Sequence, residues 1–342
     1  MKAPRFWWEK PGAMAALLAP FAALYGSIAA RRLKQEGARA GIPVICVGNP
    51  TVGGAGKTPA AMAIARLLID AGERPYFLTR GYGGRLAGPL VVEAGHTAVQ
   101  VGDEPLLLAR IAPTIVAANR VAGAELAREK GASVIVMDDG FQNPSLAKDF
   151  SILVIDGARG IGNGCVLPAG PLRAPLAPQL DHANALLIVG NETGATPVVV
   201  AAQARKLPLF HATLDPDGAA VAALAGQKAL AFAGIGDPEK FFATVAAAGI
   251  DAPVTRGFSD HHRFSIKEAR RLLEEAKRDK LVLLTTEKDA ARIQSDVALG
   301  ELAERTRVLP VSLTVTESET FRKLVLGVCN RAEAQSFKRP GA

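Results

Sequence analysis

Residues 49–58 form a short segment suited to holding a polyphosphate, ending in Gly53-Gly54-Ala55-Gly56-Lys57-Thr58. A glycine-rich turn lets backbone N–H groups surround phosphate oxygens, and a following helix N-terminus adds positive charge. Lys57 is expected to reach the outer phosphates, and the Thr58 hydroxyl to help hold a magnesium ion. Thr51 stands where this motif has glycine. We predict that the nucleotide phosphates contact eight consecutive residues: Thr51, Val52, Gly53, Gly54, Ala55, Gly56, Lys57 and Thr58.

A pair of carboxylates, Asp138 and Asp139, follows the apolar run Val134–Met137. A strand that delivers an aspartate at its carboxyl end beside a phosphate loop is typical of the second half of a nucleotide site. We expect Asp138 to bind magnesium directly or through water, with Asp139 as a second candidate ligand. The alternative is a plain turn at the end of a strand.

Two further candidates for chemistry are Asp103, before a predicted helix, and His261, in the run Ser259-Asp260-His261-His262. Asp103 could serve only as the N-cap of its helix. Adjacent histidines are more often surface residues than metal ligands, and no third ligand stands at a useful spacing.

The elements that must position these residues alternate along the chain. The apolar run Pro43–Val47 before the phosphate loop predicts a buried strand, and Pro59–Gly72 predicts a helix. Five later strands are predicted: Pro75–Thr79, Thr114–Ala117, Val134–Met137, Ser151–Ile155 and Ala185–Val189. Helices are predicted between them at Glu104–Arg110 and Arg120–Lys130. This order predicts an α/β fold of the P-loop NTPase type, a doubly wound parallel sheet with ligands at the carboxyl ends of its strands.

Periodicity weakens over residues 207–226, and then a second alternation begins. Strands are predicted at Ala229–Ala233, Leu281–Leu284 and Val308–Ser312, with helices over Pro238–Ala248 and from a capping box at Ser265 to Arg278. The predicted divisions are an N-terminal helix at 1–34, a nucleotide-binding kinase domain at 35–206, a smaller α/β domain at 207–330 and a flexible tail at 331–342.

The stretch Ala13–Ala30 has no charged residue in 18 positions and is flanked by basic residues. Its length is at the short limit of the roughly 17–25 residues that span a bilayer. Trp7 and Trp8 precede it, where interfacial aromatic residues are expected. A membrane-embedded or surface-lying helix, a helix packed on the core and a cleaved signal peptide all fit the pattern, and we expect the first. Pro20 disfavours a straight spanning helix.

The overall charge is +7, but basic residues are scattered and aromatic residues make up only 5% of the chain. No stacking platform for nucleic acid is evident, and we expect none to bind. A phosphorylated substrate or an anionic membrane surface fits the charge. Three widely spaced cysteines predict neither a disulfide framework nor a zinc site, which favours a reducing cytosol.

Taken together, the motifs resemble the tetraacyldisaccharide 4'-kinase family of lipid A biosynthesis. The resemblance covers nearly the whole chain and depends on the order of seven segments: Val47-Gly48-Asn49, Gly53–Thr58, Arg80-Gly81-Tyr82-Gly83, Gly102-Asp103-Glu104-Pro105, Asp138-Asp139-Gly140-Phe141-Gln142, Pro168–Arg173 and Asp260-His261-His262. One departure is Ala174, which stands where the family usually has the glutamate of Leu-Arg-Glu-Pro.

The resemblance implies a P-loop fold with a small C-terminal domain, ATP as co-substrate, Mg²⁺ and attachment to the cytoplasmic face of the bacterial inner membrane. It also implies that an aspartate–histidine pair acts as the base, which here would be Asp103 and His261. Lys57 is the third predicted catalytic residue and acts on the phosphates. The glycine–arginine loop after Pro75–Thr79 could close over phosphate or substrate. We expect substrate contacts from five residues: Arg80, Tyr82, Arg120, Gln142 and Arg173.

The predicted activity is ATP-dependent phosphorylation of the 4'-hydroxyl of a tetraacylated glucosamine disaccharide 1-phosphate by a monomer. The first alternative is a P-loop switch ATPase or GTPase at the membrane. A GTPase usually has the guanine-recognition motif Asn/Thr-Lys-x-Asp, but in Thr286-Glu287-Lys288-Asp289 the lysine and aspartate are adjacent. A switch ATPase carries an extra lysine in its phosphate loop, and Val52 stands at that position. The second alternative is a nucleotide-binding scaffold without turnover, which would leave Asp103 and His261 without a role.

Overall fold

The computed structural model describes residues 3–337, with side-chain surroundings described as far as residue 331. Thirteen strands are present in this part of the chain: β1 (Val44–Gly48), β2 (Pro75–Thr79), β3 (Leu90–Val91), β4 (Thr114–Val116), β5 (Val134–Asp138), β6 (Phe150–Asp156), β7 (Ala185–Val189), β8 (Leu209–Pro216), β9 (Lys228–Ala233), β10 (Asp251–Gly257), β11 (Val282–Thr286), β12 (Thr306–Leu309) and β13 (Val311–Val315).

Thirteen α-helices accompany them in the same residues: α1 (Ala13–Leu33), α2 (Lys57–Asp70), α3 (Ala98–Val101), α4 (Asp103–Leu108), α5 (Arg120–Glu129), α6 (Leu176–Asp181), α7 (Thr196–Gln203), α8 (Gly218–Ala222), α9 (Pro238–Ala247), α10 (Ile266–Asp279), α11 (Glu287–Gln294), α12 (Gly300–Arg305) and α13 (Ser318–Phe337). Short 3₁₀ helices lie at Arg5–Trp8, Glu192–Gly194 and Val297–Leu299.

The larger sheet has nine strands in the order β13-β8-β7-β6-β1-β5-β2-β4-β3. The seven inner strands are parallel, while β13 and β3 run antiparallel at the two edges. Side chains alternate between the faces of β1: Ile45 and Val47 join the core beneath α2 and α13, whereas Val44 and Cys46 join the core beneath α5, α6 and α7. Burial on both faces explains its uninterrupted apolar sequence. The predicted doubly wound α/β fold is confirmed.

The smaller sheet contains four parallel strands in the order β10-β9-β11-β12. Helices cover both of its faces, with α10 and α12 on one side and α8 and α9 on the other. Ser265 caps α10 as predicted, because its hydroxyl accepts the Glu268 backbone N–H while the Glu268 carboxylate accepts the Ser265 N–H. The second, smaller α/β unit is therefore present.

The sheets divide the chain differently from the predicted boundary at residue 207. Strand β8 lies beside β7 in the large sheet, and β13 returns to pair with β8. The predicted strand Val308–Ser312 is two strands, because Pro310 interrupts it: β12 belongs to the small sheet and β13 to the large one. Residues 331–337 of the predicted tail continue α13, and residues 338–342 lie outside the described part of the chain.

Helix α1 is long and apolar enough to cross a membrane, judged by length and composition, and only 17% of its most apolar window is buried. Its exposed side chains include Leu17, Phe21 and Leu24, each about two-thirds accessible. The opposite face packs on the loop after β6, where Gly26 approaches Pro175 and Val166. The Trp7 indole donates to the Pro168 carbonyl, which ties the segment before α1 to the same loop.

Candidate active site

The phosphate loop, residues 49–58, connects β1 to α2 at the centre of the large sheet. Gly53 and Gly56 have φ values of +106° and +89°, in the left-handed region that favours glycine. A Cβ added to Gly53 or Gly54 would have no described atom within 4 Å. The backbone of the loop therefore faces open space where a phosphate can be accommodated, with Lys57 and Thr58 in the first turn of α2.

Asp138 ends β5, directly beside β1 through the pairing of Val47 with Asp138. Thr58 Oγ1 donates to Asp138 Oδ2 at 3.2 Å, and both side chains are buried. The other carboxylate oxygen, Oδ1, is buried without a hydrogen-bond partner among the described residues. Burial, followed by the charges of Glu104 and Asp139, raises the pKa of Asp138 to about 7. The position consequently favours an added positive charge.

Asp139 turns away from β5 with φ +53°, an uncommon conformation for a residue other than glycine. Arg173 donates to its two carboxylate oxygens at 3.0 and 3.3 Å, and the Lys57 ammonium lies 3.9 Å from Oδ1. Burial opposes ionisation of Asp139, but Lys57 and Arg173 outweigh it and hold its pKa below the usual range. Asp138 and Asp139 are thus adjacent in sequence but differ in their partners.

Asp103 and His261 lie in contact although they come from different domains. We call these the large-sheet domain, which contains β1–β8 and β13, and the small-sheet domain, which contains β9–β12. Asp103 is the first residue of α4 and is only 3% exposed; the N-cap is Gly102, so the alternative role of Asp103 as an N-cap is wrong. His261 Nδ1 lies 3.3 Å from Asp103 Oδ1. The hydrogen bond to Asp103 raises the pKa of His261 more than burial lowers it. The Tyr82 ring packs against His261, with the two ring centroids 5.1 Å apart.

Arg292 on α11 completes this interdomain cluster, which we define as Asp103, His261, Asp289 and Arg292. Its Nε and Nη2 both donate to Asp103 Oδ2, the former at 2.9 Å. Its Nη1 donates to Asp289 Oδ1 and to the Gly234 carbonyl, each at 2.7 Å. Burial raises the pKa of Asp103, but the hydrogen bond from His261 and the charge of Arg292 outweigh it and hold that pKa far below its usual range.

One helical turn from Arg292, Lys288 Nζ contacts Glu104 Oε1 at 2.5 Å. Helix α11 therefore presents two cations to the consecutive acids Asp103 and Glu104 of α4. Glu104, Lys288 and Arg292 have no role predicted from the sequence. The spacing of Lys288 and Arg292, four residues apart and on one helical face, was the available signal, but it also describes an ordinary solvated helix.

The five predicted substrate residues lie in different surroundings. Arg80 and Tyr82 are exposed on the loop after β2. Arg120 is buried at the start of α5, where Nη1 donates to the Ala117 carbonyl and Nε is buried without a partner among the described residues. Gln142 and Arg173 contact the phosphate loop, donating to the carbonyls of Asn49 and Thr51 respectively. Their contacts with substrate stay predictions.

Gln179, which the sequence did not indicate, joins three segments around the phosphate loop. Its fully buried amide donates to the carbonyls of Pro50 and Ala174, at 3.3 and 2.7 Å, and accepts from Gln142 Nε2 at 3.1 Å. Ala174, at the departure from Leu-Arg-Glu-Pro, is itself buried, and its backbone participates in this brace. The predicted phosphate loop is thus held in place by the side-chain amides of Gln142 and Gln179.

Known proteins resemble this chain over nearly its whole length. The sequence model of the tetraacyldisaccharide-1-P 4'-kinase family matches residues 14–330. The tetraacyldisaccharide 4'-kinase of Rhodopseudomonas palustris (strain BisB5) is 50% identical over 340 residues, covering 99% of this chain and all of the relative. That of Methylobacterium sp. (strain 4-46) is 54% identical over 312 residues, covering 91% of this chain and 94% of the relative.

A solved structure is also similar: the crystal structure of LpxK from Aquifex aeolicus in complex with ATP. It superposes with a TM-score of 0.72 at 27% identity, covering 92% of this chain and 99% of that chain. The similarity supports the α/β fold described above. These matches confirm the resemblance predicted from the motifs: the chain belongs to the tetraacyldisaccharide-1-P 4'-kinase family.

Proposed function

We propose that this protein transfers the γ-phosphoryl group of ATP to the 4'-hydroxyl of a tetraacylated glucosamine disaccharide 1-phosphate, a step in lipid A biosynthesis. The observation that carries the proposal is the family match over residues 14–330, which spans the phosphate loop, Asp138 and the interdomain cluster. A switch ATPase or GTPase at the membrane is not favoured, because relatives about 50% identical over nearly the full chain are named as lipid kinases.

Mg²⁺ fits the residues at the end of β5. Asp138 Oδ1 is a buried carboxylate oxygen without a partner among the described residues, and the Thr58 hydroxyl lies beside Oδ2. Oxygen donors of this kind suit magnesium, which would neutralise phosphate charge when bound with ATP. We propose that Thr58 and Asp138 bind the Mg²⁺ ion. Asp139 is a weaker candidate, since Arg173 and Lys57 already neutralise its carboxylate.

In the proposed reaction Lys57 stabilises the transferring phosphoryl group, and Asp103 accepts the proton of the sugar hydroxyl. His261 orients Asp103 through its Nδ1, 3.3 Å away. Because His261 belongs to the small-sheet domain and Asp103 to the large-sheet domain, the pair forms only when the domains are together. Transfer is proposed to be in line, with the hydroxyl oxygen attacking phosphorus as the bond to ADP breaks.

We propose that α1 associates with the cytoplasmic face of the inner membrane. The exposed apolar residues Leu17, Phe21 and Leu24 lie on the side of α1 away from its contact with Pro175. Embedding these side chains in the membrane removes apolar surface from water, which is favourable by about 25 cal/mol per Å². The lipid acceptor would then reach the protein from the bilayer. We further propose that the enzyme is a monomer that does not bind nucleic acid.

The activity is tested with purified protein, γ-labelled ATP, Mg²⁺ and the tetraacylated disaccharide 1-phosphate in mixed micelles. We expect label in the lipid product only when acceptor is present. Hydrolysis of ATP that is independent of acceptor would instead support the switch ATPase, and nucleotide binding without either product would support a scaffold.

Membrane association is tested by flotation with anionic vesicles. Replacing the exposed Leu17, Phe21 and Leu24 by serine leaves the buried face of α1 unchanged and should reduce the bound fraction, whereas deleting residues 1–30 also removes core contacts. Val297→Ser is the matched control, because Val297 is an apolar residue that is 97% exposed elsewhere. Full binding of the triple variant at high salt would place the anchor outside α1.

A further inference from the structure

Arg292 has a position that a simple surface ion pair would not explain, because it is 9% exposed between two buried carboxylates. We propose that Arg292 is a positioning residue for phosphoryl transfer, which fixes the Asp103 carboxylate so that one oxygen is directed at His261 and the acceptor hydroxyl. The proposal deepens the proposed function and depends on the Asp103–His261 pair being the proton-accepting unit.

The two oxygens of Asp103 have different partners. Oδ2 accepts from Nε and Nη2 of Arg292, whereas Oδ1 faces His261 Nδ1 at 3.3 Å. Two donors from one planar guanidinium hold the carboxylate in a defined orientation. Rotation of the Asp103 carboxylate would break both contacts, so Oδ1 stays on the side of His261.

Arg292 is itself held by the small-sheet domain. Nη1 donates to the Gly234 carbonyl and to Asp289 Oδ1. Asp289 is in turn fixed at Oδ2, which accepts from the Gly234 backbone N–H at 2.9 Å and from the Thr286 hydroxyl at 2.8 Å. The guanidinium that contacts Asp103 is therefore already oriented by Gly234, which follows β9, and by Asp289 of α11. A lysine at this position would keep the charge but could not reproduce the planar set of contacts.

Several charged groups face the Asp103–His261 pair. Lys288, Asp289 and Arg292 lie on α11, Glu104 lies next to Asp103 on α4, and Asp260 Oδ1 is 3.8 Å from His261 Nε2. Among them Arg292 lowers the pKa of both Asp103 and His261. Removing its charge should therefore raise both pKa values and move the acid limb of the activity profile to higher pH.

The alternative is that Arg292 only braces the two domains. A brace would change stability and the active fraction equally at every pH, without moving the acid limb. It would also act independently of Asp103, so that its loss multiplied with the loss of Asp103. A positioning residue acts through Asp103 and should have little further effect once Asp103 is removed.

The test compares Arg292→Gln and Arg292→Lys in the full-length enzyme with lipid acceptor. Arg292→Gln should lower kcat by roughly 100-fold, the loss typical of a small displacement of a catalytic group, with little change in KM for ATP. Its acid limb should move to higher pH. Arg292→Lys should return the limb towards the wild-type position while kcat recovers only in part. In an Asp103→Ala background, Arg292→Gln should cause little additional loss.

Arg110→Gln is the matched control. The Arg110 guanidinium also crosses between the domains, donating to Gln294 Oε1 at 3.3 Å, but it is exposed and does not contact Asp103. It should keep the wild-type kcat and pH profile. Similar profiles for Arg292→Gln and Arg110→Gln would overturn the proposal.

If Arg292→Gln alone fails to fold, the double variant Asp289→Asn/Arg292→Gln also removes the charge of Asp289, whose Oδ1 would have lost its guanidinium partner. The pH profile of the double variant then tests the proposal. An unmoved acid limb in that variant would overturn the proposal; an upward shift would support it. Absence of acceptor-dependent transfer by the wild-type enzyme refutes the proposed function, whereas an active wild type with an unaffected Arg292 variant refutes only the role of Arg292.

Discussion

The phosphate loop and the interdomain cluster each contain a buried aspartate, but the two carboxylates have opposite electrostatic surroundings. Asp138 beside the phosphate loop has a pKa raised to about 7 by burial and by neighbouring acids, and one of its oxygens is buried without a partner among the described residues. Asp103 in the cluster is contacted by Arg292 and His261, which hold its pKa far below its usual range despite burial. The carboxylate of Asp138 therefore favours binding of an added cation, whereas the carboxylate of Asp103 is already paired with the Arg292 cation.

This difference reflects how each site is assembled. The phosphate loop, Lys57 and Thr58 belong to one strand–loop–helix unit, and Asp138 comes from the strand paired with it. The cluster joins Asp103 to Arg292, which is 189 residues away in the sequence and in the other domain. One site can therefore be complete within a domain, while the other exists only in the assembled pair of domains. Substitutions should distinguish a local catalytic defect from a defect of assembly.

The largest effect is expected from Lys57→Ala in the phosphate loop. The Lys57 ammonium should stabilise charge on the transferring phosphoryl group more in the transition state than in bound ATP, so kcat should fall roughly 10³-fold. Melting temperature should change little. Steady-state kinetics and thermal melting check this, with Lys130→Ala, an exposed lysine on the C-terminal end of α5, as the control. Unchanged turnover in a folded Lys57→Ala protein would remove the phosphate-loop assignment.

The next effect concerns the cluster. Asp103→Ala and His261→Ala should each lower kcat by roughly 10²-fold with little change in ATP affinity, because neither residue contacts the phosphate loop. The double variant should lose much less than the product of the single losses, since the pair acts as one unit. Multiplicative losses in the kinetic cycle would show that the two residues act separately.

His262→Ala provides the matched control for His261→Ala. The His262 imidazole stacks on Phe258 with ring centroids 4.8 Å apart and lies 3.0 Å from Glu268 Oε1. Its replacement should leave kcat nearly unchanged. A large loss of turnover in His262→Ala, with His261→Ala active, would exchange the roles of the two histidines.

The sequence predicted the phosphate loop well because its information is local. Strand β1, the glycine turn and α2 are consecutive, and β5 shows its buried position through four apolar residues before Asp138. The edge of the large sheet was not predicted, because β8 pairs with β13, which follows the whole small-sheet domain. Pairing between strands so far apart in sequence cannot be recognised from the residues of either strand. Strand β8 was also missed because the hydrophobic periodicity of residues 207–226 is weak.

The interdomain cluster shows the same limit for side chains. Family resemblance pointed to Asp103 and His261, but nothing in the spacing of the sequence indicated that Arg292 would reach Asp103. The contact arises because α11 packs on α4, with Ser295 Oγ accepting the Ala98 N–H at 3.1 Å beside it. Buried ion pairs of this kind depend on tertiary packing and cannot be read from one helix alone.

A smaller effect is expected from the carboxylates next to the phosphate loop. Asp138→Asn should raise the Mg²⁺ concentration for half-maximal activity by at least about tenfold, since its free oxygen is the proposed magnesium ligand. Asp139→Asn should raise it less, because Arg173 and Lys57 already occupy that carboxylate. Magnesium titrations of the initial rate measure both. An equal magnesium requirement in wild type and Asp138→Asn would separate Asp138 from the metal.

The smallest effect is expected at a second histidine–carboxylate cluster, remote from the reaction. His211 on β8 lies 2.8 Å from Glu192 and 3.0 Å from Glu317, and all three side chains are more than one-third exposed. The hydrogen bond that His211 donates to Glu317 raises the pKa of His211, and its hydrogen bond to Glu192 raises it further, against the opposing effect of burial. Unlike His261, His211 has no arginine among its contacts in the described residues, so it provides a comparison without a guanidinium.

A raised histidine pKa gives stability that is fully present below the ordinary value of about 6.5 and is lost as the pH rises through the folded-state value. His211→Gln should therefore lower the free energy of unfolding near about pH 6 by less than about 1 kcal/mol, because solvent screens exposed ion pairs. The difference from wild type should shrink at higher pH, and kcat should stay unchanged. Thermal melting across pH tests this; a difference that grew with pH would mean that neutral His211 is the stabilising form, and altered turnover would connect this remote cluster to the active site.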